Sequence, residues 1–297
     1  MFTGLSAFPI TPMGENGINE AGFSALIRRL SEARVDSICV LGSTGNYAYL
    51  SRAERASVVR LAVDQAGGVP VMVGIGALRT RDAVLLAEDA QEAGASAVLL
   101  APVSYHQLAP AEVFTLYQAV SESLIVPLCV YDNPGIMRFE FSDELHGRIT
   151  RLPQVASIKI PGVPAAPTAA RERVANLRAH LVPRVTIGIS GDTSAVQGLL
   201  AGCEVWYSVI GGIFPQTALA ITRAAQRGDA LEAMRLSARL APLWRLYEKY
   251  GGSLRVIAAA AELIGIAPQP SLPLPLAQIT SDDQALLARL IVELDLK

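Results

Sequence analysis

One lysine stands where a buried strand should be apolar. Val155-Ala156-Ser157-Ile158-Lys159-Ile160 reads as a short, largely apolar strand stopped by Pro161-Gly162, with Lys159 near its carboxyl end. Lysine is scarce in this chain, since only Lys159, Lys249 and Lys297 occur among its 25 basic residues. Arginine stays charged and is no nucleophile, whereas a desolvated lysine can lose its proton and attack a carbonyl. A strand-end lysine can also snorkel to water or pair with a carboxylate. The stretch by itself leaves both readings open.

Other reactive side chains fall at the ends of apolar runs. Tyr131 closes Pro127–Tyr131 and is followed by Asp132-Asn133-Pro134. Gly42-Ser43-Thr44-Gly45 follows Ser37–Leu41; glycines flanking two hydroxyls let backbone N–H groups and both side chains approach a carboxylate. The same residues also make an ordinary strand-to-helix turn. Ser104-Tyr105, Ser190-Gly191-Asp192 and Tyr207-Ser208 complete the set. No histidine belongs to it: His106 falls in a loop, His146 and His180 in helices. No carboxylate and imidazole cluster has metal-ligand spacing, so no metal is expected. A lysine, tyrosines and small hydroxyls are a poor kit for hydrolysis and a suitable one for imine chemistry.

The elements that must position these residues alternate. Strands are expected at Leu5–Phe8, Ser37–Leu41, Val69–Ile75, Ala97–Ala101, Pro127–Tyr131, Val155–Ile160, Val185–Ile189 and Val205–Val209, with a helical pattern after each. Ser51 with Glu54 three residues on spells a capping box for the second helix. Nearly continuous apolar strands are those of a parallel sheet covered on both faces. Eight units over roughly 225 residues predict a (β/α)8 TIM barrel. The doubly wound alternative lacks a G-x-G-x-x-G turn after any strand. Beyond Gly228 the pattern is helical alone, at about Ala230–Tyr250, Ser253–Ile264 and Asp282–Leu296. The expected division is therefore a barrel over 1–227 and a C-terminal helical domain over 228–297. In a barrel the active site lies at the carboxyl ends of the strands, which gathers all the residues above at one mouth.

Composition bounds the partners. Of 297 residues, 51% are hydrophobic, and the net charge is −2 without a basic run, so nucleic acid is not an expected ligand. Cys39, Cys129 and Cys203 show neither disulfide-framework nor zinc spacing. Met1–Pro12 lacks the pattern of a signal peptide and no stretch reaches membrane-spanning length uninterrupted, so a cytoplasmic protein is expected.

Taken together, the motifs resemble those of the dihydrodipicolinate synthase / N-acetylneuraminate lyase family of class I pyruvate-dependent aldolases. The likeness runs from Phe8-Pro-Ile-Thr-Pro12 through Gly42–Gly45, Leu50-Ser-Arg-Ala-Glu-Arg55, Tyr131–Pro134 and Ser157-Ile-Lys159 to Ser190-Gly-Asp192 and Ser253–Glu262, essentially the whole chain. The resemblance implies a (β/α)8 barrel with a C-terminal helical domain, usually a homotetramer built as a dimer of dimers, with a homodimer as the smaller unit. It implies that Lys159 forms the Schiff base with pyruvate or a related keto acid, so that the covalent imine stands in for any cofactor. It also implies that Ser43 and Thr44, with Gly45, hold the carboxylate, that Tyr131 relays protons, and that Thr44 belongs with Lys159 and Tyr131 to the catalytic set.

Departures bear on the second substrate, an aldehyde. The synthases usually carry Thr-Thr-Gly-Glu where this chain has Ser43-Thr44-Gly45-Asn46, and the Ser-Thr form is common among sugar-acid lyases. They have a tyrosine pair after the fourth strand, whereas Pro102-Val103-Ser104-Tyr105 offers Tyr105 alone. The carboxylate-binding arginine is either shifted to Arg138 or absent. Tyr207 is the remaining candidate for a substrate contact. The leading expectation is a carbon–carbon lyase like 4-hydroxy-tetrahydrodipicolinate synthase. A sugar-acid aldolase of the N-acetylneuraminate or 2-keto-3-deoxy-gluconate type, and a pyruvate-binding barrel that has lost its relay, are the alternatives.

Overall fold

The computed structural model describes all 297 residues. Eight short strands close into one all-parallel barrel: β1 Gly4–Ala7, β2 Ser37–Val40, β3 Val71–Gly74, β4 Ala97–Leu100, β5 Leu128–Tyr131, β6 Val155–Ile160, β7 Thr186–Ile189 and β8 Val205–Ser208. Each strand pairs with its neighbours in sequence, and β8 closes on β1. The crossover helices are α1 Glu20–Ala33, α2 Arg52–Gln65, α3 Thr80–Glu92, α4 Pro110–Glu122, α5 Asp143–Ile149, α6 Pro167–His180, α7 Ala195–Leu200 and α8 Pro215–Gln226. The expected barrel is the one observed.

Two apolar layers hold it together. Strand residues such as Val130, Ile158, Ile160 and Trp206 point outward into the large core between sheet and helices. Their neighbours in the pleat point inward, where Cys39, Met72, Leu99 and Cys129 fill the barrel. Burying each such aliphatic side chain is worth about 1.5–3 kcal/mol, so the strands are fixed in register from both sides. Tyr131 pairs with Lys159, and Lys159 with Gly188, so these three residues stand at one level of the barrel.

The capping box read at Ser51 and Glu54 is present, with both reciprocal bonds made. Three local features differ from the sequence reading. A two-stranded hairpin, Met13–Gly14 with Gly17–Ile18, occupies the Gly-rich turn after β1. Pro134–Met137 forms a single helical turn, started by a proline that needs no N–H donor there. The long helix expected at Ala230–Tyr250 is two helices, α9 Ala230–Arg239 and α10 Ala241–Lys249, because Pro242 cannot carry the hydrogen-bond ladder through. Helices α11 Leu254–Leu263 and α12 Ser281–Glu293 complete a helical C-terminal region. No helix is long and apolar enough to cross a membrane.

Gly188 shows how the barrel interior serves the mouth. A Cβ on it would collide with the Tyr207 ring and with Val205. Gly188→Ala is expected to cost about 1–3 kcal/mol by overpacking and to shift Tyr207 away from Lys159. Chemical denaturation checks the stability; an unchanged midpoint would show that the ring has room to move.

Candidate active site

Lys159 emerges into the cleft at the carboxyl end of the barrel. It is only 3% exposed and no carboxylate lies within ion-pair distance of it, so neither snorkelling nor charge pairing explains it. Its Nζ instead sits in an aromatic cage, 4.0 Å from the Tyr131 ring centre, 4.2 Å from that of Phe8 and 6.0 Å from that of Tyr207. The cleft, of about 560 Å³, is walled by Ser43, Thr44, Tyr131, Asn133, Lys159 and Tyr207 together with residues from the seventh and eighth loops and the C-terminal helices.

Ser43 and Thr44 are turned inward by a strained backbone. Leu41, at the end of β2, has φ 57°, a left-handed conformation that costs a side-chain-bearing residue about 1–3 kcal/mol. Gly45 closes the turn, because a Cβ there would lie 2.9 Å from the Leu41 nitrogen. Gly45 itself is buried and outside the cleft walls, where it shapes the turn. The Ser43 Oγ lies 3.2 Å from the Tyr131 Oη, and the Asn133 Nδ2 donates to that same hydroxyl at 2.8 Å.

Tyr207 reaches the cleft with its ring alone. Its hydroxyl is tied below, 2.6 Å from Ser157 Oγ and within reach of Cys129 Sγ, so it packs against the lysine and has no free hydroxyl for a substrate. Tyr105 lies outside the cleft of this single chain. It is 85% exposed in the loop before α4 and edge-on to His106, because the loop carries it away from the barrel axis. Arg138 is likewise exposed and outside the cleft, at the left-handed end of the Pro134–Met137 turn.

The structure gives partners to a strand-end residue already read from the sequence, Asp192, and adds wall residues that the sequence reading did not find. Asp192 is buried and its carboxylate accepts from Trp206 Nε1, Ser208 Oγ and the backbone N–H groups of Val209 and Ile210, stapling the ends of β7 and β8. Burial raises its carboxyl above the usual range against those four donors. Tyr247 and Glu248, in the last turn of α10, and Gly251–Ser253, between α10 and α11, cover one side of the mouth. Nothing local marks them; only the packing of the C-terminal helices brings them there. No group of three or more His, Cys, Asp or Glu side chains is gathered as a metal would need.

Behind the cleft, Asp132 and His146 form a buried pair with 3.6 Å between Oδ2 and Nε2. Burial pushes the Asp132 carboxyl up to about 7, opposed by Arg173, and pushes the His146 ring, stacked on Phe141, down to about 4. A carboxyl raised by folding contributes stability below its usual range and loses it as pH rises toward 7. Asp132→Asn removes that loss while leaving His146 in place. The variant is expected to gain a few °C over the parent at pH 8 relative to pH 5, read from thermal unfolding; an offset independent of pH would contradict it.

The model of the dihydrodipicolinate synthetase family matches residues 1–294. The chain belongs to that family. The family's 4-hydroxy-tetrahydrodipicolinate synthase from Alkalilimnicola ehrlichii is 30% identical over 282 residues, 94% of each chain, and that from Thioalkalivibrio sulfidiphilus is 28% identical over 94% of this chain and 93% of its own. Among solved structures, the dihydrodipicolinate synthase of Agrobacterium tumefaciens is 45% identical, with TM-score 0.94 over 99% of this chain and 98% of that one. A prophage protein of the family from Escherichia coli, solved in complex with pyruvate, is 25% identical with TM-score 0.89 over the whole of both chains. The chain is thus a carbon–carbon lyase of a class I, pyruvate-dependent family, in which a lysine Schiff base replaces any cofactor.

Proposed function

We propose that the chain is a 4-hydroxy-tetrahydrodipicolinate synthase, joining pyruvate, held as an imine on Lys159, to aspartate semialdehyde. The observation that carries this reading is a buried lysine without a counter-ion, caged by aromatic rings beside Ser43, Thr44 and the Tyr131 hydroxyl. The names of the curated relatives and the pyruvate complex of the Escherichia coli protein support it.

In this reading Ser43 and Thr44 hold the carboxylate of pyruvate, and the neutral Lys159 amine adds to its keto carbon. Tyr131 gives a proton to the departing oxygen, which leaves as water, and the iminium remains. The methyl group then loses a proton to give the enamine, whose carbon adds to the aldehyde; the new alkoxide takes up a proton. Attack by water or by the product's own amine releases Lys159. Pyruvate with borohydride is expected to leave one reduced adduct on the peptide containing Lys159, and an unmodified chain would refute the reading.

One observation favours a second reading. Lys159, the reacting residue, is the only basic side chain lining the cleft, while Glu248 stands in its wall and Arg138 lies outside. That charge balance suits a neutral polyhydroxy aldehyde, as a sugar-acid aldolase would use. Parallel assays with aspartate semialdehyde and with keto-sugar acids decide between them. We also propose a homo-oligomer, dimer or tetramer, to be checked by sedimentation.

A further inference from the structure

We infer that Asn133 is the positioning residue that gives the proton relay its direction, and the inference rests on the reading of Tyr131 as the proton donor. Asn133 follows β5 and occupies the position preceding the Pro134–Met137 turn, where an asparagine ordinarily turns its side chain back onto the first free backbone N–H groups. It caps nothing here; its backbone carbonyl accepts from Ile136 and Met137, and its side chain is left for other use. That side chain is half-buried in the cleft wall, where Nδ2 donates to the Tyr131 Oη two residues back. A favourable local arrangement has been given up at a site wall, which is where such exceptions serve function.

The chemistry follows from what an amide can do. Its nitrogen only donates, so the bond uses an acceptor lone pair of Tyr131 and leaves the phenolic proton free. That proton is then directed to Ser43 Oγ, 3.2 Å away, or to a bound keto acid. As the phenol gives up its proton, the Asn133 N–H stabilises the negative oxygen left behind. The amide neither accepts nor releases a proton itself, so it holds the phenol oxygen without competing for its proton. Tyr105, out in solvent, supplies no further hydroxyl within this chain.

The test is a mutant cycle on the rate of pyruvate imine formation, trapped with borohydride, using the full chain throughout. Asn133→Leu is expected to slow trapping at least about tenfold with an unchanged pyruvate saturation constant, the pattern of a lost transition-state interaction. In a Tyr131→Phe background the same substitution is expected to have no further effect. Asn133→Asp, nearly isosteric, presents a carboxylate that can only accept; it draws the phenolic proton away from Ser43 and is expected to be as slow or slower, recovering at low pH as the carboxyl protonates. Equal losses with and without the Tyr131 hydroxyl would reduce Asn133 to a structural residue. A wild-type rate in Asn133→Asp would mean that the amide oxygen accepts from Tyr131, and would overturn the assignment. Absence of an adduct in the parent chain overturns the proposed function itself, an outcome distinct from both.

Discussion

Lys159→Ala is expected to eliminate the borohydride-trapped pyruvate adduct and to lower turnover by on the order of 10⁴–10⁶, the scale of deleting a covalent nucleophile. Lys159→Arg should fail as completely, because a guanidinium keeps its proton and cannot add to a carbonyl. The fold should survive both. The lysine makes no ion pair, and its amine rests on three rings that remain packed around a smaller side chain. Lys159→Met, which keeps the length and discards the buried amine, is expected to be at least as stable as the parent, in the usual trade of stability against a functional group. Mass analysis of the borohydride-treated protein, with thermal unfolding alongside, checks these results together. An adduct of undiminished yield on Lys159→Ala would place the nucleophile elsewhere.

Tyr131→Phe is expected to produce the second largest loss. General acid–base catalysis by a positioned side chain contributes about 10²–10⁴-fold, and the Tyr131 hydroxyl is the one titratable group joined by hydrogen bonds to both Ser43 and Asn133. Phenylalanine preserves the ring against Lys159 and the apolar packing inside the barrel. The pyruvate saturation constant should therefore change little while the rate falls. A large rise in that constant at unchanged rate would assign Tyr131 to binding instead. The orphaned Asn133 amide and Ser43 hydroxyl line an open cleft, where water can satisfy them, so the cost to folding should be small.

The two expected losses involve residues at one level of the barrel, and the reason lies in strand geometry. Side chains alternate along a strand, and parallel neighbours in register set the inward residues side by side. Tyr131 and Lys159 are direct partners, with Cys129 and Ser157 beneath them. The floor formed by Ser157, Thr186 and Tyr207 fixes the third ring of the cage by hydrogen bonds, so its position relative to Lys159 is held by polar contacts as well as packing.

The sequence by itself determined the barrel and its chemistry. Eight apolar runs punctuated by helical periods admit few other architectures, and a lysine inside the sixth run is legible because a strand buried on both faces tolerates so few charges. Ser43, Thr44 and Tyr131 were legible for the same reason, each ending a run at the same pole. The placement of Tyr105, Arg138 and Gly45 and the bonds of Tyr207 were not, since a residue's place at a strand end does not say where a loop carries it or what holds its hydroxyl. Tyr105 and Arg138 went outward, Gly45 into the turn, and the Tyr207 hydroxyl into the barrel floor. Conversely Tyr247 and Glu248 carry no local signal, and Asn133 and Asp192, though legible as strand-end residues, carry none that names their partners. Contacts between segments far apart in the chain brought Tyr247 and Glu248 to the mouth and tied Asp192 to the end of β8, and a side-chain choice within one short turn joined Asn133 to Tyr131. Periodicity records which face of an element is buried; only the closed structure decides which buried or half-buried groups meet.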